Sequence, residues 1–291
     1  MRETNVKNED KPESAELPPE QRRRRIVLQR VVVSLSSLIL ITLCGTYIFK
    51  DQLLLVCCEK GYTGMASALL ACGASVRACT DEGHTPLHQA AMHNHKDMAK
   101  MLIKAGADIN ARNEAGSTPL HWAAWDDHQQ MATILIQHQA DVNAKDEQNR
   151  TPLVEAVEHD NPGIAKILIE NKADINVKTQ NGQQAIDWAV EKGYNKTAEL
   201  LIRYGASIDH RGKYDWTPLH LTAWNGHVEL TRLLIRNNAE INALDEFGYT
   251  PLDKATNPEI KKLLRNAGGK TGKELAAARN KAHIPQTATD K

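Results

Sequence analysis

Thr-Pro-Leu-His stands at Thr85–His88, again at Thr118–His121, and again at Thr217–His220. Thr151-Pro152-Leu153 and Thr250-Pro251-Leu252 keep three of the four residues, and Gln184-Ala185-Ile186-Asp187 fills the remaining slot, so each start lies 33 residues after the last. A second phrase travels with the first: Gly106-Ala107-Asp108-Ile109-Asn110, Ala140-Asp141-Val142-Asn143, Ala173-Asp174-Ile175-Asn176, Gly205-Ala206-Ser207-Ile208-Asp209 and Ala239-Glu240-Ile241-Asn242. Two phrases locked to one period describe a stack of like units, each covering the apolar face of its neighbour. The two Phe in 291 residues suit such a stack, because helices built from Ala, Leu and Ile need little aromatic volume.

Within a unit, Thr can cap a first helix through its hydroxyl, and Pro suits the first helical position because its missing N–H has no partner there in any case. Leu87, Ala90 and Ala91 recur as Leu120, Ala123 and Ala124, small enough for a second helix to pack closely. That second helix carries the denser apolar stripe: Met98, Met101, Leu102 and Ile103, then Ile134, Leu135 and Ile136, then Ile167, Leu168 and Ile169. Gly106 and Gly205 suit a left-handed end to the helix.

These residues resemble the ankyrin-repeat family over residues 52–268. The resemblance implies an all-α ankyrin-repeat solenoid made of helix–turn–helix–loop units of 33 residues. The units are an opening cap at 52–84, repeats at 85–117, 118–150, 151–183, 184–216 and 217–249, and a partial cap at 250–268, with a disordered tail at 269–291. Gln139, Lys172 and Asn238 replace the helix-ending Gly, each at a cost of roughly 1 kcal/mol and less for Asn. The unit at Gln184 lacks both the Thr cap and the Pro, so the middle of the stack is expected to be softer than its flanks.

Residues 1–30 read as a disordered basic segment, ending in Arg22-Arg23-Arg24-Arg25 and Arg30. From Val31 to Phe49 run nineteen residues without a charge. At about 1.5 Å per residue they nearly span a hydrocarbon core of about 30 Å. The expectation is a single transmembrane signal-anchor helix at 31–49, against a cleaved signal peptide or a buried soluble helix. Positive charge on its N-terminal side places the N-terminus in the cytoplasm and the repeats on the far side, the periplasm in a bacterium. The family habit favours the alternative of cytoplasmic repeats. Cys57, Cys58, Cys72 and Cys79 all fall in the opening unit, where they read either as small buried hydrophobes or as a disulfide whose pairing stays open.

Chemistry-bearing motifs are few. Thirty-six basic residues balance thirty-six acidic ones, so no global charge points to nucleic acid. Of twelve histidines, six belong to recurring slots: His88, His121 and His220 in the tetrapeptide, and His95, His128 and His227 between the helices. A zinc site at His84, His93 and His95 is a poor reading, as is a phosphate loop at Gly268–Lys273, which lacks the preceding strand and the final Ser/Thr. No nucleophile motif appears, and neither an enzyme nor a cofactor or metal is expected.

The resemblance implies binding through outward loop tips and the exposed side of the first helices, which form a concave face. Early units place mostly polar residues there, including Asp81, Glu82, His93, Glu114, Glu147, Gln148 and Glu158. The last junctions offer Tyr214, Trp216, Trp224, Phe247 and Tyr249, with Trp125 further back. Two readings stand: a binding surface for a protein or peptide, or aromatics that pack together to cover the C-terminal end. Trp122 and Trp188 sit deeper and read as structural. The expected role is a non-catalytic scaffold for protein–protein interaction at a membrane. The alternatives are a secreted or host-directed effector, and a regulatory or protective subunit of an envelope enzyme.

Overall fold

A computed structural model describes residues 49–282. The chain divides into two units, residues 1–50 and 51–291, and the description concerns the second. Helices come in pairs: α1 Lys50–Lys60 and α2 Thr63–Ala71, α3 Pro86–Met92 and α4 Lys96–Lys104, α5 Pro119–Trp125 and α6 Gln129–Gln137, α7 Pro152–Glu158 and α8 Pro162–Glu170. They continue as α9 Ala185–Lys192 and α10 Asn195–Arg203, α11 Pro218–Asn225 and α12 Val228–Arg236, then α13 Pro251–Lys254 and α14 Pro258–Asn266, with α15 at Gly272–Ala282. No strand occurs among the described residues.

Where the tetrapeptide occurs the Pro is the first helical residue, and the Thr before it is extended, with φ of −78° at Thr85 and −98° at Thr118. The first helices pack on one another more closely than the second helices do. Alanine permits that approach: Ala90, Ala123, Ala156 and Ala189 are wholly buried at one recurring slot.

Hydrogen bonds tie each unit's loop to its own first helix and each unit to its neighbours. The ring Nε2 of His88 lies 3.0 Å from the Ser117 carbonyl, and those of His121 and His220 lie 3.1 Å and 3.2 Å from the carbonyls of Arg150 and Tyr249. The histidines between helices reach backwards instead, His95 to the Glu59 carbonyl, His128 to Met92 and His227 to Glu191. The Asn of the second phrase forms a ladder: Asn110 Oδ1 accepts the Asp141 N–H at 2.8 Å and Asn143 Oδ1 accepts that of Asp174 at 2.8 Å. The repeated polar letters thus connect parts of one unit as well as neighbouring units, and leave few buried donors or acceptors unpaired.

Gln139, Lys172 and Asn238 do adopt the left-handed conformation, at φ of 69°, 70° and 64°. The unit at Gln184 is capped in another way: its N–H donates to Asp187 Oδ2 at 2.8 Å, so the carboxylate does what the His ring does elsewhere. The buried apolar core falls into two clusters, one from Leu54 to Ala206 with Leu230, the other from Leu219 to Leu264. Hydroxyls stand near the join. Thr197 occupies the slot of Met98, Met131 and Ile164, and Thr222 that of the buried alanines, bonding to Asp160 at 2.5 Å and to the Leu219 carbonyl.

The tail does not begin as disordered chain. Gly272–Ala282 is helical, with the Thr271 N–H on Glu274 Oε2 at 2.7 Å and the Glu274 N–H on Thr271 Oγ1 at 3.2 Å. That reciprocal pair is a capping box written in the sequence as Thr271-Gly-Lys-Glu274. Residues 1–48, which hold the basic segment and nearly all of the 31–49 span, lie outside the described residues. Among the described residues no helix is long and apolar enough to cross a membrane.

Cys57 and Cys58 are fully buried, and burial pushes their thiols up to about 11 and about 12. All four cysteines of the opening unit are free thiols, with Cys72 and Cys79 exposed.

Candidate binding surface

Five of the six aromatics singled out in the sequence come together. Tyr214 and Phe247, at the tips of successive loops, have ring centroids 6.3 Å apart. Trp216 lies 5.8 Å from Trp224 and stacks on His220 at 6.2 Å. Tyr249 joins the group through Lys254, whose ammonium sits 4.3 Å from the Tyr249 ring, 5.2 Å from Trp216 and 5.9 Å from Phe247.

Asp245 organises this surface. Its Oδ1 accepts the N–H groups of Phe247 and Tyr249, and its Oδ2 takes Lys254 Nζ at 3.0 Å and Trp216 Nε1 at 3.2 Å. Burial by itself would raise the carboxyl, but the Tyr249 N–H and the Lys254 ammonium hold it below the usual range. A charged Asp245 therefore anchors the loop that carries two of the aromatics. Lys254 and Asp245 gave no sign of this role in the sequence. They are 9 positions apart on different elements and meet only when the last unit folds back on the loop before it.

Packing among themselves accounts for Trp216, which is partly covered. It does not account for Phe247 or Trp224, which are 64% and 52% exposed, or for Tyr214 and Tyr249 at about half. Tyr214 also sits at a positive φ of 61°, followed by Asp215 at 57°, two consecutive non-glycine residues in a region that costs each roughly 1–2 kcal/mol. Such strain is commonly found at recognition loops.

Beside the aromatics a groove of about 680 Å³ opens between the units at 184–216 and 217–249. One wall is Tyr214, Trp216, Leu221 and Trp224; the other is polar, with Gln180, Asn181, Gln183 and Glu191, and Asp187 between. The polar wall was missed in the sequence, although a signal existed. Trp125, Glu158, Glu191 and Trp224 occupy one slot in four successive units. The first helices therefore present two carboxylates bracketed by two indoles along a single row.

Trp125 stands apart from the other five. It lies 4.0 Å from His159 and 6.0 Å from Trp122, which in turn meets His84 edge-on at 5.3 Å. His84 also contacts Asn113, whereas His95 turns to the Glu59 carbonyl, so these histidines serve different partners. Next to Trp125 a buried charge network links Arg150 to Asp146 at 2.9 Å, to Glu155 at 3.0 Å and to Glu158 at 3.5 Å. Burial drives the Glu155 carboxyl up to about 7 even though Arg150 pulls it down. The Gly268–Lys273 stretch spends its donors internally, the Gly272 N–H on Asp253 and the Thr271 N–H on Glu274.

No curated protein matches the chain. The ankyrin-repeat family model, built on three copies, matches in overlapping stretches at residues 37–113, 54–146, 105–179, 145–212 and 187–273, the first beginning inside the uncharged 31–49 stretch. With those matches running over most of its length and the paired helices above, this chain belongs to the ankyrin-repeat family, whose members are scaffolds for protein partners.

Proposed function

We propose that this chain is a non-catalytic scaffold whose last two complete repeats dock a protein or peptide, and that residues 31–49 hold it at a membrane. The observation that carries the docking reading is the half-exposed aromatic group of Tyr214, Trp224, Phe247 and Tyr249 beside the 680 Å³ groove. Large rigid aromatics give contact area at low entropic cost, and interface hot spots are enriched in them. A strained loop at Tyr214 and Asp215 fits the same reading.

Crosslinking of the full chain followed by affinity recovery and mass spectrometry tests it. Trp224→Ala combined with Tyr249→Ala lowers partner recovery while the helical signal stays constant. Recovery equal to wild type removes the aromatic surface from the reading.

The membrane part rests on the uncharged stretch Val31–Phe49 behind Arg22–Arg25. It places the N-terminus in the cytoplasm and the repeats on the far side. Resistance to carbonate extraction supports the anchor, and a reporter after Lys291 that works only outside the cytoplasm supports the side. Reporter activity in the cytoplasm overturns that orientation.

A further inference from the structure

The two walls of the groove differ in chemistry, and together they suit one kind of occupant. Trp216, Trp224 and Tyr214 present aromatic faces, which attract cations through the negative charge of the ring face. Opposite them Glu191 is exposed, and among the described residues no cation lies within ion-pairing distance of its carboxylate. Asp187 is only 2% exposed, and while its Oδ2 takes the Gln184 N–H and His210, its Oδ1 is buried with no partner. Asp187 is already ion-paired with His210, so the carboxylate of the lining left for a charge-assisted hydrogen bond from an occupant is that of Glu191.

The protein already contains the arrangement in miniature beside Trp216. There the Lys254 ammonium lies 5.2 Å from the Trp216 ring and 3.0 Å from the buried Asp245 carboxylate. The groove offers Trp216 a second indole, Trp224, and faces the exposed Glu191 carboxylate, which has no ion pair among the described residues.

We propose that the groove between the 184–216 and 217–249 repeats takes a basic side chain, arginine or lysine, from an extended segment of a partner polypeptide. Its stem lies against Trp216 and Trp224 and its charged head reaches the Glu191 carboxylate. The volume of about 680 Å³ is within the range of roughly 300–1,000 Å³ usual for ligand pockets, so flanking residues of the segment fit as well. Lys213, held over the Tyr214 ring at 4.8 Å, is the one basic residue of the lining and sits on the strained loop beside the opening. The inference rests on the docking reading above and narrows its partner to one charge class.

The test uses the full chain, labelled with nitrogen-15 and read through its indole N–H resonances, with Trp216 and Trp224 assigned by Trp→Phe replacement. The probe is a nine-residue Gly/Ser peptide with a central arginine, compared with the same peptide carrying citrulline, which keeps the shape without the charge, or glutamate. The expected result is saturable shifts of both indoles, with the arginine peptide bound about tenfold more tightly than the citrulline one. Glu191→Gln weakens the arginine peptide with an unchanged helical signal, and Lys213→Glu strengthens it. Equal binding of arginine and citrulline peptides, a preference for glutamate, or no shift with any peptide overturns the inference. If partner recovery still depends on Trp224 in those cases, the docking surface stands and only its preference for a basic segment falls.

Discussion

His210 Nε2 lies 2.7 Å from Asp187 Oδ2, joining the loop of the 184–216 repeat to its first helix, and its Nδ1 lies 2.8 Å from the Ser207 carbonyl. Both neighbours can only accept, so both ring nitrogens must carry protons. Burial works against that charge, but the hydrogen bond and charge of Asp187 outweigh it and the His210 pKa is raised. The tetrapeptide histidines are held in the opposite state. His88 Nδ1 accepts the Thr85 N–H at 3.1 Å while Nε2 must donate to the Ser117 carbonyl, which uses the neutral ring in one tautomer. Burial drives both His88 and His121 down to about 4.

The two kinds of histidine give opposite pH dependence. His210 is raised, so its contribution is complete below the unfolded value of about 6.5 and is lost as pH climbs through the higher folded value. The stability gap between wild type and His210→Gln is therefore largest below pH 6.5 and shrinks above it. His88 is lowered, so its advantage is complete above about 6.5 and falls away toward pH 4, by roughly 3 kcal/mol at about 1.4 kcal/mol per unit. Urea unfolding of wild type, His210→Gln and His88→Gln at pH 5 and pH 8 measures both slopes. Parallel curves would contradict the assigned protonation states.

Glu155→Gln is expected to stabilise the protein at pH 8. The carboxyl is raised to about 7 by burial, so ionisation costs stability as pH rises from the unfolded value of about 4.5 through 7. A permanently neutral Gln avoids that cost, on the order of 2 kcal/mol, and Arg150 keeps Asp146 and Glu158 as partners. The gain disappears by about pH 4.5. A loss of stability at pH 8 would show that the Arg150 contact outweighs burial.

Gly61 and Gly106 are both left-handed, at φ of 76° and 87°, but only one has a close neighbour. A Cβ on Gly61 falls 2.6 Å from the His95 ring, whereas one on Gly106 meets nothing within 4 Å. Gly106→Ala should cost about 1 kcal/mol of backbone strain. Gly61→Ala adds overpacking of roughly 1–3 kcal/mol, because moving the ring breaks its bond to the Glu59 carbonyl. Thermal unfolding ranks the pair, and equal losses would show that the His95 ring moves freely.

Removal of the Glu274 carboxylate should unwind α15 and leave the solenoid folded. Arg265 reaches Glu274 at 2.6 Å and 3.0 Å, and that hydrogen bond, with the Thr271 N–H, takes the carboxyl down to about 2. Its contribution is thus present above about pH 4.5 and lost as pH falls through about 2. Glu274→Ala speeds amide exchange over residues 272–282 while exchange in α5–α8 keeps its wild-type rate. Protection unchanged in α15 would assign its stability to the Thr250 Oγ1 contact with the Lys270 carbonyl at 2.8 Å instead.

Much of this architecture could be read residue by residue. Thr85-Pro86 announced the start of α3, Leu102 and Leu135 their buried stripe, and Lys172 its left-handed turn, since each depends on neighbours within one turn of chain. The aromatic group was legible as five residues at exposed slots. Its hub was not, because Lys254 gains meaning only from Asp245 and Trp216 on the two preceding units. The capping box at Thr271–Glu274 lay in plain view but was masked by the Gly- and Lys-rich composition around it.

Sequence alone therefore determined the period, the helix starts and the family, because a 33-residue repeat is built from short-range signals: caps, proline, glycine and a 3.6-residue apolar stripe. Tertiary structure alone decided the charge states and the groove. His88 and His210 are the same residue type, and only the neighbours that folding brings to each, a donor and an acceptor for one and two acceptors for the other, make the first neutral and the second charged. Asp187 closes the same way: its sequence slot belongs to a histidine, and stacking turns it into a cap, an ion pair and the floor of the groove.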